Sequence, residues 1–358
     1  MNRLYIDFHV IQTVPPSCVN RDDTGSPKTA IYGGARRARV SSQAWKRAMR
    51  EVFRDNLKES ELGVRTKRII ELVAKKIVEL DSSKAEEAKP LAEKIINLAG
   101  ITTKDGEAKA LFFIGTQQAK NLAELALSDE PNKKQAQAAL LKDHAIEIAL
   151  FGRMVADEPS LNTDATAQVA HCISTHVVMN EYDYFTAADD MKSHEEDAGA
   201  GMIGTVEFNS STLYRYATVA AHELYNQLSQ DSQALSRAIA EFARAFIISM
   251  PTGKQNTFAN RTLPDAVMVA VRTDQPINLA GAFEMPVKTS SDGGYRDKSI
   301  KALCQYAREL YDSFAQSPCK AYVIGTGLGD MGIGVKMDTL FSSLAEDIRS
   351  EFSENREA

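Results

Sequence analysis

Signatures of metal binding and membrane insertion are scarce in this chain. Its four cysteines, Cys18, Cys172, Cys304 and Cys319, lie far apart and never reach the CxxC spacing of a zinc or redox site. They are expected to be buried thiols in a reducing cytoplasm. The six histidines include no HExxH pattern, and His171 and His176, five apart in a strand-like stretch, would face opposite sides. No metal site and no cofactor is expected. No run of about 18 apolar residues occurs, so there is no candidate for a membrane-spanning helix. The opening MNRLYIDFHV lacks the basic-then-apolar layout of a signal peptide. A cytoplasmic protein with no membrane partner is the expectation.

A glycine-rich run, GTGLGDMG (325–332), matches GxGxxG through Gly327, Gly329 and Gly332. A dinucleotide fold would need a further parallel strand carrying an acid about 20 residues on. Only 26 residues follow Gly332, and they read as turn and helix. The run is expected to be a turn.

Acids outnumber bases, 48 to 42, and the formal net charge is -6. That sum hides a concentration. Between Lys28 and Arg54 stand eight bases (Lys28, Arg36, Arg37, Arg39, Lys46, Arg47, Arg50 and Arg54) and one acid, Glu51. The segment carries +7 and leaves -13 on the rest of the chain. A basic patch on an acidic body suits a protein that holds a polyanion along one surface.

The same segment has a shape. Ser41-Ser42 offers N-caps for a helix whose apolar stripe is Trp45, Ala48, Met49 and Val52. Gln43, Lys46, Arg47, Arg50 and Arg54 form the opposite stripe. Glycines let a backbone approach a ligand, and arginines bind phosphate in bidentate fashion. Gly33, Gly34, Arg36, Arg37, Arg39, Ser41, Gln43, Lys46, Arg47 and Arg50 are therefore candidate binding residues.

Elsewhere periodicity marks the elements. Leu4, Ile6, Phe8 and Val10 alternate with Tyr5, Asp7 and His9, predicting a half-buried strand. A polar loop is expected from about Val14 to Arg39. From Leu57 to Phe151 the pattern predicts several helices without strands, broken near Pro90, Gly100 and Pro131. Residues 165–178 read as strand-rich, and Tyr182 to Gly204 as a polar segment. Strands follow at Leu213–Val219, Asp265–Arg272 and Ala321–Ile324, and helices at 232–250, at 298–315 and through Leu340 to Phe352. With the helical insertion set aside, this order approaches a ferredoxin-like or RNA-recognition-motif sheet, a type that often binds single-stranded RNA. Two features stay open: Asp22 and Asp23, as metal ligands or as loop-ordering acids, and Tyr184-Phe185-Thr186, as base-stacking or core-anchoring residues.

Several blocks in sequence carry a resemblance. They are PPSCVNRDD and AIYGGARRARVSSQAWKRAMR within 15–50, ALFGRMV (149–155), AHCISTHVV (170–178), DYFTAADD (183–190), GTVEFNSSTLYRYA (204–217) and PTGKQNTFAN (251–260). Together they resemble the CasC family, the guide-RNA-binding backbone subunit of the type I-E CRISPR Cascade complex. The resemblance implies an α+β protein: an RRM/ferredoxin-like palm (1–56 and 152–358), an inserted helical fingers domain (57–151) and a protruding thumb loop or hairpin (179–211). It implies a non-catalytic ribonucleoprotein component of antiviral defence, whose partners are crRNA, target DNA through the guide, copies of itself and other Cascade subunits. Positions matching Arg21, Lys28, Ser41, Gln43, Lys46 and Arg50 lie at the guide backbone in that family. Met154 and Tyr184-Phe185-Thr186 match positions around a displaced base, and the loop with Lys254 and Gln255 would face nucleic acid. This chain departs from the pattern with Tyr at 184 in place of Trp, Ala at 35 in place of Lys, and an acidic segment from Met191 to Met202. Two alternatives stand beside this reading: a metal-dependent ribonuclease using Asp22 or Asp23, and a general single-stranded RNA-binding protein outside CRISPR.

Overall fold

Alternating apolar residues at the start of the chain do form a strand, β1 (Tyr5–Ser17), but it is longer than expected and buried on both faces. In the computed structural model, which describes residues 3–187, 202–289 and 291–354, β1 is the central strand of a ten-stranded sheet. Ile6, Phe8 and Val10 face the main core; Ile11 belongs to a second apolar layer with Tyr214, Phe283 and Leu303. The expected half-buried strand is corrected because both sheet faces are covered.

The polar side of β1 is thus enclosed. Asp7 Oδ1 accepts from Tyr216 Oη at 3.0 Å and its Oδ2 from the Ile277 amide at 2.8 Å. Burial pushes the Asp7 carboxyl up to about 6 from 3.8, outweighing these hydrogen bonds and the positive charge of Arg272. A folded pKa above the unfolded one means the contribution is full below about pH 4 and is lost as pH rises through about 6. The loss amounts to ~3 kcal/mol. Asp7→Asn should therefore flatten stability between those limits, measured as the wild-type-minus-variant difference in urea unfolding. An unchanged pH profile in the variant would refute this.

The expected loop after β1 is largely a hairpin, β2 (Thr29–Tyr32) and β3 (Ala35–Val40). Tyr32 pairs with Ala35, and Gly33 and Gly34 between them both have positive φ, +56° and +70°, the backbone of a two-residue I′ turn. Helix α1 (Ser42–Asn56) follows.

The segment expected to be all-helical contains strands. Strand β4 (Gly63–Thr66) precedes helices α2 (Ile69–Leu80) and α3 (Ala88–Leu98). A small hairpin, β5 (Thr103–Lys104) and β6 (Glu107–Ala108), comes next, and then β7 (Phe112–Gly115), which pairs with β4. Helices α4 (Thr116–Ala126), α5 (Lys133–Leu141) and α6 (Ile146–Phe151) complete it. Pro90 sits in the first turn of α3, where its missing N–H would have no intrahelical partner, so it does not break the helix. Ile70, Val73, Ile77, Ile95, Ile96, Leu122 and Leu140 give this insertion its own apolar cluster.

Short strands β8 (Ala167–Val169) and β9 (Cys172–Ser174) then return to the large sheet. Where a polar segment was expected, β10 (Glu181–Ala187) pairs with the 19-residue β11 (Met202–Ala220). Much of the acidic stretch of the sequence, 191–201, lies outside the described residues. Helices α7 (Ala221–Gln227), α8 (Ser232–Ile248) and the single-turn α9 (Gln255–Phe258) precede β12 (Ala266–Arg272). Helix α10 (Arg296–Ser313), β13 (Lys320–Gly325), the two-residue β14 (Ile333–Gly334) and α11 (Met337–Glu354) end the chain. The glycine-rich run is a turn, but it leads into β14, parallel to β13. The sheet order is β14-β13-β12-β1-β11-β9-β3-β2, with β8 and β10 also paired to β11.

Candidate nucleic-acid interface

Helix α1 is held from beneath. Trp45, Ala48, Met49 and Phe53 are buried, Phe53 taking the place expected of the half-buried Val52. Trp45 lies against the Arg215 guanidinium, which is 3.8 Å from the ring centroid and also stacks on Phe246. Arg215 is wholly buried without a carboxylate; it donates to Gln12 Oε1 and to the Ile247 and Phe246 carbonyls, and burial drops its pKa to about 9. This stack ties α1 to β11 and α8.

At the helix start, Ser41 is a cap. Its Oγ accepts from the Ala44 amide at 3.3 Å, and its own N–H donates to Asn20 Oδ1 at 2.9 Å. Asn20 belongs to a loop ordered by Asp22, whose Oδ1 accepts from the Thr24 amide and hydroxyl and from the Ser26 amide. The Thr24 hydroxyl is the main influence holding the Asp22 carboxyl below its ordinary range. A second loop, 251–254, packs against the first: a Cβ on Gly253 would run into the Val19 carbonyl. Lys254 adopts φ +46°, carrying its side chain to the same place.

These three segments enclose a cleft of about 1090 Å³ lined by Arg21, Ser41, Gln43, Arg47 and Lys254, with Asp22, Asp23 and Glu51. Asp22 spends an oxygen on its own loop, and Glu51 pairs with Arg54 at 2.7 Å. Arg21, Arg47 and Lys254 make no ion pair among the described residues. The cleft thus offers an elongated anion three cations outside any ion pair and the Gln43 amide, beside the carboxylates of Asp22 and Asp23.

Several sequence candidates are placed elsewhere. Arg37 is a correction: it is fully buried, donating to the Ser174, Phe283 and Glu284 carbonyls, because the Phe283–Glu284 segment covers the face of β3 opposite Ala38 and Val40, which join the main core. Arg50 is another. Its guanidinium pairs with Glu147 at 3.1 Å, donates to the Gly63 carbonyl and lies 4.9 Å from the Phe113 centroid, so it fastens α1 to the insertion. Gly33 packs against the Glu284 carbonyl and leaves no room there for a ligand. Lys46 is half-buried, 5.6 Å from the Phe151 ring, with its pKa lowered by burial and by Arg65. Lys28, Arg36 and Gly34 lie on or beside the hairpin, and Arg39 meets His171. Arg65, which the sequence reading passed over, stacks 4.6 Å from the Phe113 centroid.

The aromatic triplet is split. Tyr184 and Thr186 pair with Thr205 and Ile203, whereas Phe185 pairs with Gly204 and folds its ring over that glycine. Period-two alternation sends Phe185 to the opposite face, so the three cannot address one ligand together. Tyr182, Tyr184 and Ile203 form an exposed apolar face on one side of the hairpin. At its base Phe208 meets Phe258, 5.7 Å between centroids, and so braces α9, where Gln255 is exposed. Met154 is 86% exposed beside the insertion, near Leu111.

The model of the CT1975-like protein family matches residues 6–343. Among curated proteins none matches. A chain of a solved structure described as a CRISPR RNA-guided surveillance complex, pre-nicking, is similar at 32% identity with a TM-score of 0.80; the match covers 95% of this chain and 100% of that one. A second, described as a CRISPR RNA-guided surveillance complex, is similar at 30% identity and a TM-score of 0.62, covering 95% and 99%.

Proposed function

The chain belongs to the CT1975-like protein family, and from that premise we propose that it is the backbone subunit of a type I-E CRISPR surveillance complex. Copies of it would line a guide RNA, shield it and hold it for pairing with target DNA. Likeness at 32% identity along the whole of a surveillance-complex chain supports the reading. The observation that carries it is the cleft, where Arg21, Arg47 and Lys254 converge without ion-pair partners among the described residues. Charges of this kind bind sugar–phosphate without reading bases.

In this reading the large sheet is an RRM-like palm (1–56 and 152–358), residues 57–151 are the fingers, and the hairpin within 179–211 is the thumb. Tyr184, 62% exposed, offers a face on which a base can stack. Met154 offers an apolar surface near the insertion. The role proposed is that of a scaffold without a catalytic step; of the two loop acids, Asp22 is engaged in ordering its loop. Its partners would be crRNA, further copies of the chain and the other subunits of the complex.

Assembly tests this. Mixed with single-stranded RNAs of increasing length, the protein should add copies stepwise, counted by mass photometry. One bound copy at every length would overturn the proposal in favour of a general RNA-binding protein.

A further inference from the structure

Arg39 and His171 lie 132 residues apart in sequence but meet at the β3–β9 junction. Arg39 pairs with Ile173, which makes His171 its diagonal neighbour across the sheet. Arg39 Nη1 stands 3.1 Å from His171 Nδ1. A guanidinium can only donate, so Nδ1 must be the unprotonated nitrogen of the ring. The proton then resides on Nε2, and the imidazole is a neutral donor in a single tautomer. Arg39 is itself fixed, its Nε donating to the Thr29 carbonyl and its amide to the Lys28 carbonyl.

The ring is exposed, and the charged groups facing it are Arg39 on β3 and Lys28 just before β2. Neither base makes an ion pair among the described residues. Burial, Arg39 and Lys28 all lower the His171 pKa, which keeps the ring neutral at physiological pH. Two cations with no carboxylate, beside a donor of fixed tautomer, make a site for an anion with several acceptor oxygens.

Resting on the RNA-scaffold reading above, we infer that Lys28, Arg39 and His171 form a second backbone site, in which His171 Nε2–H donates to a phosphodiester oxygen of the RNA. Arg39 acts there as a positioning residue, selecting the tautomer. His171→Gln keeps an N–H near the Nε2 position, and His171→Ala removes it.

Binding of the full chain to a labelled single-stranded RNA tests the site, measured by fluorescence anisotropy from about pH 6 to about pH 8. His171→Ala should weaken binding about tenfold, the scale of one hydrogen bond to a charged acceptor. His171→Gln should recover most of that loss, and wild-type affinity should stay level across the pH range. Wild-type affinity in His171→Ala would overturn the inference. So would a wild-type gain on acidification that His171→Ala lacks, because His171 would then bind as a cation. Absence of RNA binding by the wild-type chain would instead defeat the scaffold reading.

Discussion

Glu147→Ala is expected to destabilise the protein by about 3–5 kcal/mol, the usual result of removing one member of a buried ion pair. The Glu147 side chain is 1% exposed and serves three donors. Its Oε1 accepts from Arg50 Nε at 3.1 Å, and its Oε2 accepts from Arg50 Nη2 at 3.3 Å and from the Gly63 amide at 3.0 Å. Truncation would leave a guanidinium and an amide without their acceptor at the seam between α1 and the insertion. The urea midpoint of unfolding measures the effect. Glu147→Gln, which can still accept from one donor, should lose less. The double variant with Arg50→Ala should lose less than the two single changes added together. A loss below about 1 kcal/mol for Glu147→Ala would show that the pair is dispensable.

Removing the three cations of the cleft should have the largest effect on binding. Arg21→Ala, Arg47→Ala and Lys254→Ala combined should weaken single-stranded RNA binding about a thousandfold, taking at least 1.5 kcal/mol for each charge-assisted contact. The slope of log affinity against log salt should shrink by about 2, since single strands release roughly 0.7 counterion per phosphate contact. The loss should be similar for unrelated RNA sequences, because phosphates carry no sequence information. Arg308→Ala is the matched control: it removes a charge outside the cleft that is already answered by Asp330 and should leave affinity nearly unchanged. If the triple variant binds with wild-type affinity and salt slope, the cleft is not where the backbone lies.

Residue pattern alone located α1 and its cap. Ser41 precedes a run whose apolar residues recur at helical spacing, and both signals are local. Helices α8, α10 and α11 and strands β12 and β13 were legible for the same reason. The strands within 57–151 were not. Strands β4 and β7 have four residues each and lie about 46 positions apart, too short for period-two alternation to emerge among helices. The hairpin at 29–40 was read as a loop because the four residues of β2 are too few to show alternation and half of β3 is arginine. Burial of Asp7 was equally hidden, since alternation reports two faces without saying that both are covered.

Sequence by itself determined where the positive charge is concentrated and which helix presents it. Only the tertiary structure decided which of those charges remain available. Arg37, Arg39 and Arg50 are the same kind of residue within 14 positions of one another. One is buried on carbonyls as far away as Glu284, one sets the tautomer of His171, and one is neutralised by Glu147. A guanidinium's availability depends on the desolvation and the partners that packing brings to it, and these partners come from 97 to 247 residues away.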